Sequence, residues 1–242
     1  MSSAEERLAN DPTAELWGEH RSRYRFAAEA LCGAAQVLDV ACGSGFGLEM
    51  LQAAGGCPVG IDYDAPALQA VHARIPGTRL VRADAMRLPV TTESVDAVVS
   101  FETIEHVADA RALVLEIRRV LKLGGRLVLS TPNRAFRQSA NPFHVREFTS
   151  DELNALLGEC FSEVRLYGQR PSPAYRYVPF LMVERDWQVQ ALIWKVLVRL
   201  PFGIKNRLAL TISGKPFYPG EADYCFYPDV TDGAHALVAV AR

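Results

Sequence analysis

The sequence predicts an α/β protein: a doubly wound, mostly parallel sheet of seven strands, with a helical, aromatic insertion before the last strand. Three observations predict it. Short apolar runs alternate with stretches of helical spacing through the first two thirds of the chain. The runs are too apolar on both faces to meet water, so helices must cover the sheet on each side. The first run then passes through a glycine-rich turn into a helix, as strand–helix units of parallel sheets do.

The strands come in order. Gln36-Val-Leu-Asp-Val40 is the first, followed by a helix from Gly47 to Ala54. Pro58-Val-Gly-Ile-Asp62 is the second, and Pro66 sits in the first turn of a helix reaching about Ile75, where its missing N–H costs nothing. Thr78 to Ala83 is the third strand and Val95-Asp-Ala-Val-Val-Ser100 the fourth. From Asp109 to Leu121 the spacing of Leu113, Ile117, Val120 and Leu121 is helical and stops at Gly124-Gly125. Gly125 to Thr131 is the fifth strand. Thr149-Ser-Asp-Glu152 is a capping box opening a helix with Leu153, Leu156 and Leu157. Ser162 to Gly168 and Ala234 to Val240 complete the sheet. One domain, 1–242, is expected, with a helical cover at 1–34 and the insertion at 170–232.

Composition narrows the function. The chain has 242 residues, 49% hydrophobic and 22% charged, enough apolar material for a full core. Its formal net charge of −2 argues against general nucleic-acid binding. The longest uncharged stretch, Met50 to Ile61, is 12 residues, too short to cross a bilayer. The acidic N-terminus lacks the apolar segment of a signal peptide, so a cytoplasmic protein is expected. Five scattered cysteines (32, 42, 57, 160, 225) without a Cys-x-x-Cys pair read as reduced thiols, and no metal site is expected.

Val37-Leu-Asp-Val-Ala-Cys-Gly-Ser-Gly-Phe-Gly47 is the most informative stretch. Glycines at 43, 45 and 47 let the backbone turn sharply and let a ligand approach main-chain N–H groups. A dinucleotide fingerprint needs its third glycine at position 48, where this chain has Leu48, so a pyrophosphate cofactor is the weaker reading. Asp62 ends the second strand, where a carboxylate can accept both hydroxyls of a ribose. Asp84, after the third strand, can accept from an adenine amino group. Strand C-terminal ends at the switch point are where open α/β sheets bind ligands, and these ends outline an adenosine-shaped crevice.

Leu38-Asp-Val-Ala-Cys-Gly-Ser-Gly45, Gly60-Ile-Asp62, Ala83-Asp-Ala85, Phe101-Glu-Thr-Ile-Glu-His106 and Leu121-Lys-Leu-Gly-Gly-Arg-Leu127 stand in an order and spacing that resemble the class I S-adenosylmethionine-dependent methyltransferases of the small-molecule branch. The likeness covers about residues 15 to 168 and the final strand, and implies the Rossmann-like methyltransferase fold. It implies S-adenosyl-L-methionine as cofactor and S-adenosyl-L-homocysteine as product. Asp39, Gly43 and Gly45 would line the methionine moiety, Asp62 the ribose, and Asp84 with Ala85 the adenine, and Ala41, Tyr63 and Met86 would also meet the cofactor. Phe101 and Glu102 would close the sulfonium side. From an N-terminal helix, Tyr24 or Arg23 would reach the methionine carboxylate.

Methyl transfer is an in-line displacement at carbon with a sulfonium leaving group, so positioning and shielding are what such a protein must supply. For the acceptor side, His106 and His144 are the candidate catalytic residues. Either can take a proton from an acceptor hydroxyl or amine; the plainer alternatives are a histidine capping the helix at Asp109 and an ordinary loop. Glu147, in the same segment, can face the acceptor, with Arg146 reading an anionic group. Cys42 is a small loop residue without a base to activate it.

About sixty residues between the last two strands exceed what a sheet connection needs. From 171 to 220 they carry seven basic residues and two acids, +5 locally against −7 elsewhere, with Tyr175, Tyr177, Phe180, Trp187, Trp194, Phe202, Phe217 and Tyr218. A cap over an aromatic or sugar-like acceptor, a peripheral membrane face formed by Trp194 to Arg207, and a dimer contact are the readings. The predicted function is methyl transfer to a small-molecule or glycan-type acceptor. The alternatives are a quinone or lipid-linked precursor, or a non-catalytic cofactor-binding subunit.

Overall fold

A computed structural model describes residues 18–136, 141–173, 202–214, 216 and 219–242. The elements are α1 (Gly18–Ala30), β1 (Gln36–Val40), α2 (Phe46–Ala53), β2 (Cys57–Asp62), α3 (Ala65–Arg74), β3 (Arg79–Arg82), β4 (Val95–Phe101), α4 (Ala110–Val120), β5 (Leu121–Pro132), α5 (Ser150–Gly158), β6 (Val164–Pro171), α6 (Phe202–Ser213), β7 (Tyr224–Pro228) and β8 (Ala236–Ala241). The sheet runs β3-β2-β1-β4-β5-β8-β6-β7. Strands β1 to β5 pair in parallel, and β8 lies antiparallel between β5 and β6.

The sheet therefore has eight strands, one more than the sequence predicts. The additional one, β7, falls inside the stretch expected to be all cap, and it occupies the edge beyond β6. A short strand ending in Pro228 suits an edge, where no further ladder bond is required. A second difference concerns β5, which begins at Leu121 rather than Gly125. Leu121 extends the helical spacing of α4, yet it pairs with Val95, and the register then jumps so that Ala97 faces Arg126. The four residues between are a bulge that the Gly124-Gly125 pair accommodates.

Period-two alternation sends neighbouring residues of each buried strand to opposite faces. On one face Leu38, Val40, Val98, Leu127 and Leu129 pack with Leu113 and Ile117 of α4 and Leu153 and Leu157 of α5. On the other, Val37, Val99, Val128 and Val238 pack with Ala27 and Leu31 of α1 and Leu51 of α2. Each such fully buried aliphatic contributes roughly 1.5–3 kcal/mol. The helix starts are set locally: the Asp109 side chain accepts from Ala112 N–H at 3.0 Å, and Thr149 with Glu152 forms the expected capping box.

The chain divides into two compact units. Arg23–Arg170 and Phe226–Arg242 carry nearly all of the sheet. The described residues between Pro171 and Cys225, with α1 as far as Ser22, make the other. In that second unit Arg21 pairs with Glu221 at 3.2 Å, and Gly18 lies so close to the Pro219 carbonyl that a side chain has no room. Most of the aromatic insertion, including Tyr175, Tyr177, Phe180, Trp187, Trp194, Phe217 and Tyr218, lies outside the described residues, as does the greater part of the Trp194-to-Arg207 stretch read as a membrane face. No helix among the described residues is long and apolar enough to cross a membrane.

Candidate active site

The switch point falls where β1 has β2 on one side and β4 on the other, and the turn after β1 builds its floor. Ala41 takes a left-handed φ of 63°, Gly43 one of 51° and Gly45 one of 73° at the start of α2. At Gly45 a side chain would strike Val71 of α3, at 2.7 Å from its nearest methyl. At Gly43 a Cβ would meet nothing within 4 Å, so the turn is open there. Asp62, at the end of β2, reaches across to it: one carboxylate oxygen accepts from Gly43 N–H at 2.9 Å and the other from Asp64 N–H at 2.8 Å. Each oxygen keeps a further lone pair for a donor entering beside Gly43.

Behind this floor sits a buried pair. The Tyr24 hydroxyl lies 3.1 Å from both oxygens of Asp39, and the ring stands edge-on to Phe46 and Phe101. Gly47 makes the seat, since a Cβ there would lie 2.1 Å from the Tyr24 ring. Burial, with the charge of Asp62 nearby, pushes the Asp39 carboxyl up to about 7 despite the tyrosine hydrogen bond. Tyr24 itself is raised, chiefly by burial and by Asp39. Cys42 is buried and its thiol is raised by burial and by Asp39 and Asp62, in keeping with an inert loop residue.

Around this floor lie the other residues expected to meet the cofactor. Tyr63 is 69% exposed, its ring under the Arg82 guanidinium. Asp84 is exposed and accepts from Met86 N–H at 2.9 Å, so it shapes the turn after β3; Ala85 and Met86 pack half-buried against the core. Phe101 is buried, and Glu102 after it holds a positive φ of 48°. Glu102 is fixed there by Arg23, at 2.9 Å, and by the Ser130 hydroxyl, also at 2.9 Å. Tyr24 and Arg23, expected to reach a ligand carboxylate, are thus seated on Asp39 and Glu102.

On the neighbouring side, the segments after β4 and β5 bring the two candidate histidines together, with ring centroids 4.9 Å apart. His106 Nδ1 lies 3.2 Å from the Phe143 carbonyl, which can only accept, so that nitrogen carries the proton. His144 Nδ1 lies 2.7 Å from the Glu147 carboxylate. Arg146 instead lies over the Phe148 ring and near Glu152. Sequence reasoning missed Glu105, which is fully buried beside these rings. One of its oxygens accepts from Thr131 at 3.0 Å, and burial and the Glu102 charge hold its carboxyl well above the ordinary range. The available signal was a glutamate beside a histidine at a strand end; its burial is invisible to periodicity.

Residues 38–129 match a family model described as "Methyltransferase domain". A protein of Mycobacterium tuberculosis named "Probable S-adenosylmethionine-dependent methyltransferase" is 37% identical over 151 residues, 60% of this chain and 55% of that one. The chain thus spans about half the length of the curated relatives it matches. A demethylmenaquinone methyltransferase of Roseiflexus castenholzii is 38% identical over 103 residues, 41% of this chain and 42% of the relative. Among solved structures, a SAM-dependent methyltransferase from Archaeoglobus fulgidus superposes with a TM-score of 0.62 at 16% identity, covering 92% of each chain, which establishes the shared Rossmann-like fold.

Proposed function

We propose that this chain, whose residues 38–129 match a methyltransferase-domain model, is a class I S-adenosylmethionine-dependent methyltransferase that transfers the methyl group of S-adenosyl-L-methionine to an oxygen, nitrogen or carbon of a small-molecule or glycan-type acceptor. What supports this is the opening beside Gly43, where a cradle without a Cβ adjoins the pinned carboxylate of Asp62. Those are the features an adenosine ribose needs: close approach to main-chain N–H groups and an acceptor for its hydroxyls. Asp62 and Tyr63 would hold the ribose. Asp84, Ala85 and Met86 would hold the adenine. Asp39, Ala41, Gly43 and Gly45 would line the methionine end, with Phe101 and Glu102 at the sulfonium. When bound, the cofactor supplies a methyl group already activated by positive sulfur.

The chain's own residues then need only orient and shield, which can supply roughly 7–11 kcal/mol of the barrier. Tyr24, Phe46 and Phe101 wall the rear with aromatic carbon and exclude water. Glu102 faces the reacting side with its position fixed by Arg23 and Ser130. On the acceptor side we assign His144, with His106 beside it, to the acceptor's exchangeable proton: Glu147 orients the His144 ring from behind. We assign acceptor selection to the insertion at 170–232.

A quinone or lipid-linked acceptor is the second reading, favoured by the likeness to the demethylmenaquinone methyltransferase. Transfer of labelled methyl from S-adenosylmethionine into a fractionated cell extract tests both. Label in the aqueous small-molecule fraction supports the first reading, and label in the organic phase the second. No incorporation by protein that binds S-adenosylhomocysteine would favour a non-catalytic cofactor-binding subunit.

A further inference from the structure

Three groups at the ends of β4 and β5 point hydrogen-bond acceptors at one another. Glu105 is buried, and its Oε1 has no hydrogen-bond partner although Oε2 is held by Thr131. His106 Nε2 lies 4.0 Å from that oxygen. Since His106 donates its Nδ1–H to the Phe143 carbonyl, the neutral ring presents a lone pair, not a proton, at Nε2. His144 is arranged in the same way. Its Nδ1–H is directed to Glu147, which leaves Nε2 as an acceptor. Asn141 reports the same tautomer independently: its Oδ1 accepts from Phe143 N–H, so the amide nitrogen is the atom 3.0 Å from His144 Nε2, and it donates there. One donor atom from each of Glu105, His106 and His144 lies within 4.8 Å of the others.

A buried carboxyl oxygen facing lone pairs on two imidazoles is relieved by a proton or by a cation, and two rings each oriented from behind through Nδ1 favour the cation. We propose that Glu105, His106 and His144 form a divalent transition-metal site, with zinc the best chemical match. Two imidazoles and one carboxylate suit a borderline cation, and three protein ligands leave a position open to an acceptor oxygen. The surroundings match a ligand set as well. Each ring is oriented from behind through Nδ1, by a backbone carbonyl for His106 and a carboxylate for His144, the pattern that fixes imidazoles on metals. Tetrahedral zinc with bonds of about 2.1 Å wants its ligand atoms about 3.4 Å apart, so closing around an ion takes about an ångström of movement. Both histidines sit on the segments after the strands, outside the sheet itself, and the Asn141 amide has to release His144 Nε2.

This site rests on the acceptor-side reading for its role and changes the part the histidines play in it: with Nε2 on an ion neither ring would take the proton, and the ion would instead bind an acceptor oxygen and acidify a hydroxyl, whose proton leaves to solvent before methylation. The binding itself does not depend on that reading. Metal-free full-length protein is titrated with Zn2+ by calorimetry and with Co2+ by visible absorption. The expected result is one ion per chain and cobalt d–d bands of a four- or five-coordinate nitrogen–oxygen site. His144→Ala and Glu105→Gln should each weaken binding at least tenfold and remove those bands. Far-UV circular dichroism checks that the variants are folded, and His106→Ala, on the more exposed ring, is the second variant should burial make Glu105→Gln fail. Absence of stoichiometric binding by wild-type protein, or binding untouched by the folded variants, overturns the proposal. Metal binding without methyl transfer to any extract fraction would instead count against the acceptor-side reading and leave the site standing.

Discussion

The buried Asp39 makes the stability of the ligand-free chain depend on pH in a direction that surface carboxylates do not. Its carboxyl is raised to about 7 from an ordinary 3.8, with burial the main cause, opposed by the Tyr24 hydroxyl and reinforced by Asp62. The titratable groups facing it are Tyr24, Cys42 and Asp62. A native carboxyl with a raised value binds its proton more tightly than the unfolded chain does. Its contribution is therefore complete below the unfolded value and is lost as pH rises through the native one. For these two values the linkage relation gives a loss of about 2.6 kcal/mol between pH 5 and pH 8 from this group alone. Asp39→Asn keeps an oxygen for Tyr24 to donate to but cannot ionise. Urea unfolding of wild type and variant, without cofactor, should show wild type losing about 2.6 kcal/mol more than Asp39→Asn across that interval. In thermal scans this corresponds to roughly 5–10 °C. Parallel losses in the two proteins would mean that Asp39 ionises normally, and the dry Tyr24–Asp39 pair would have to be abandoned. If the methionine ammonium of the cofactor lies against Asp39, binding S-adenosylhomocysteine near pH 6.5 should also release a fraction of a proton. Calorimetry in buffers of different ionisation enthalpy measures that release, and it should vanish in Asp39→Asn.

Replacing Asp62 by Ala should weaken S-adenosylhomocysteine binding by roughly 1.5–3 kcal/mol, the scale of hydrogen bonds to a charged group; unchanged affinity by calorimetry would remove the ribose assignment. Gly47→Ala, a change that helps most helices by about 1 kcal/mol, should here destabilise by roughly 1–3 kcal/mol because the new methyl meets the Tyr24 ring. A rise in melting temperature would show that the ring has somewhere else to go. His144→Gln should lower kcat on the true acceptor at least tenfold while leaving S-adenosylhomocysteine affinity in place. Equal turnover would return that segment to a plain loop.

What was legible in the sequence is what chain chemistry fixes locally. Glycines at 43 and 45 announce a turn that only left-handed backbone can make, and both adopt it. Asp109 and Thr149 announce helix starts through side chains that satisfy nearby N–H groups, and both do so. The parts that were not legible depend on the far side of a contact. Leu121 fits the spacing of α4 and the ladder of β5 equally well, and only pairing with Val95 decides for the strand. Tyr224–Pro228 lacks the alternation of a half-buried strand; it is a strand because an open edge of the sheet offers it partners. Glu105 reads as a polar loop residue beside a histidine, and nothing short of the fold places it under full burial.

Two adjacent residues of α1 tie the site together. Arg23 grips Glu102 at the end of β4, and Tyr24 grips Asp39 within β1, the two strands that meet at the switch point. Beyond those strand ends, Ala41 and Glu102 hold left-handed φ angles that side-chain-bearing residues rarely adopt. Such conformations cost of order 1–3 kcal/mol each and persist only where the surroundings leave no alternative. For Glu102 those surroundings are visible: a buried guanidinium and a serine hydroxyl both hold one oxygen of the carboxylate. The helix expected from the sequence to be an N-terminal cover thus braces two strand ends. Its two side chains fix the carboxylates of Asp39 and Glu102 on neighbouring strands; under the proposed function that would pre-organise the edge facing the sulfonium, as a site that works by positioning requires.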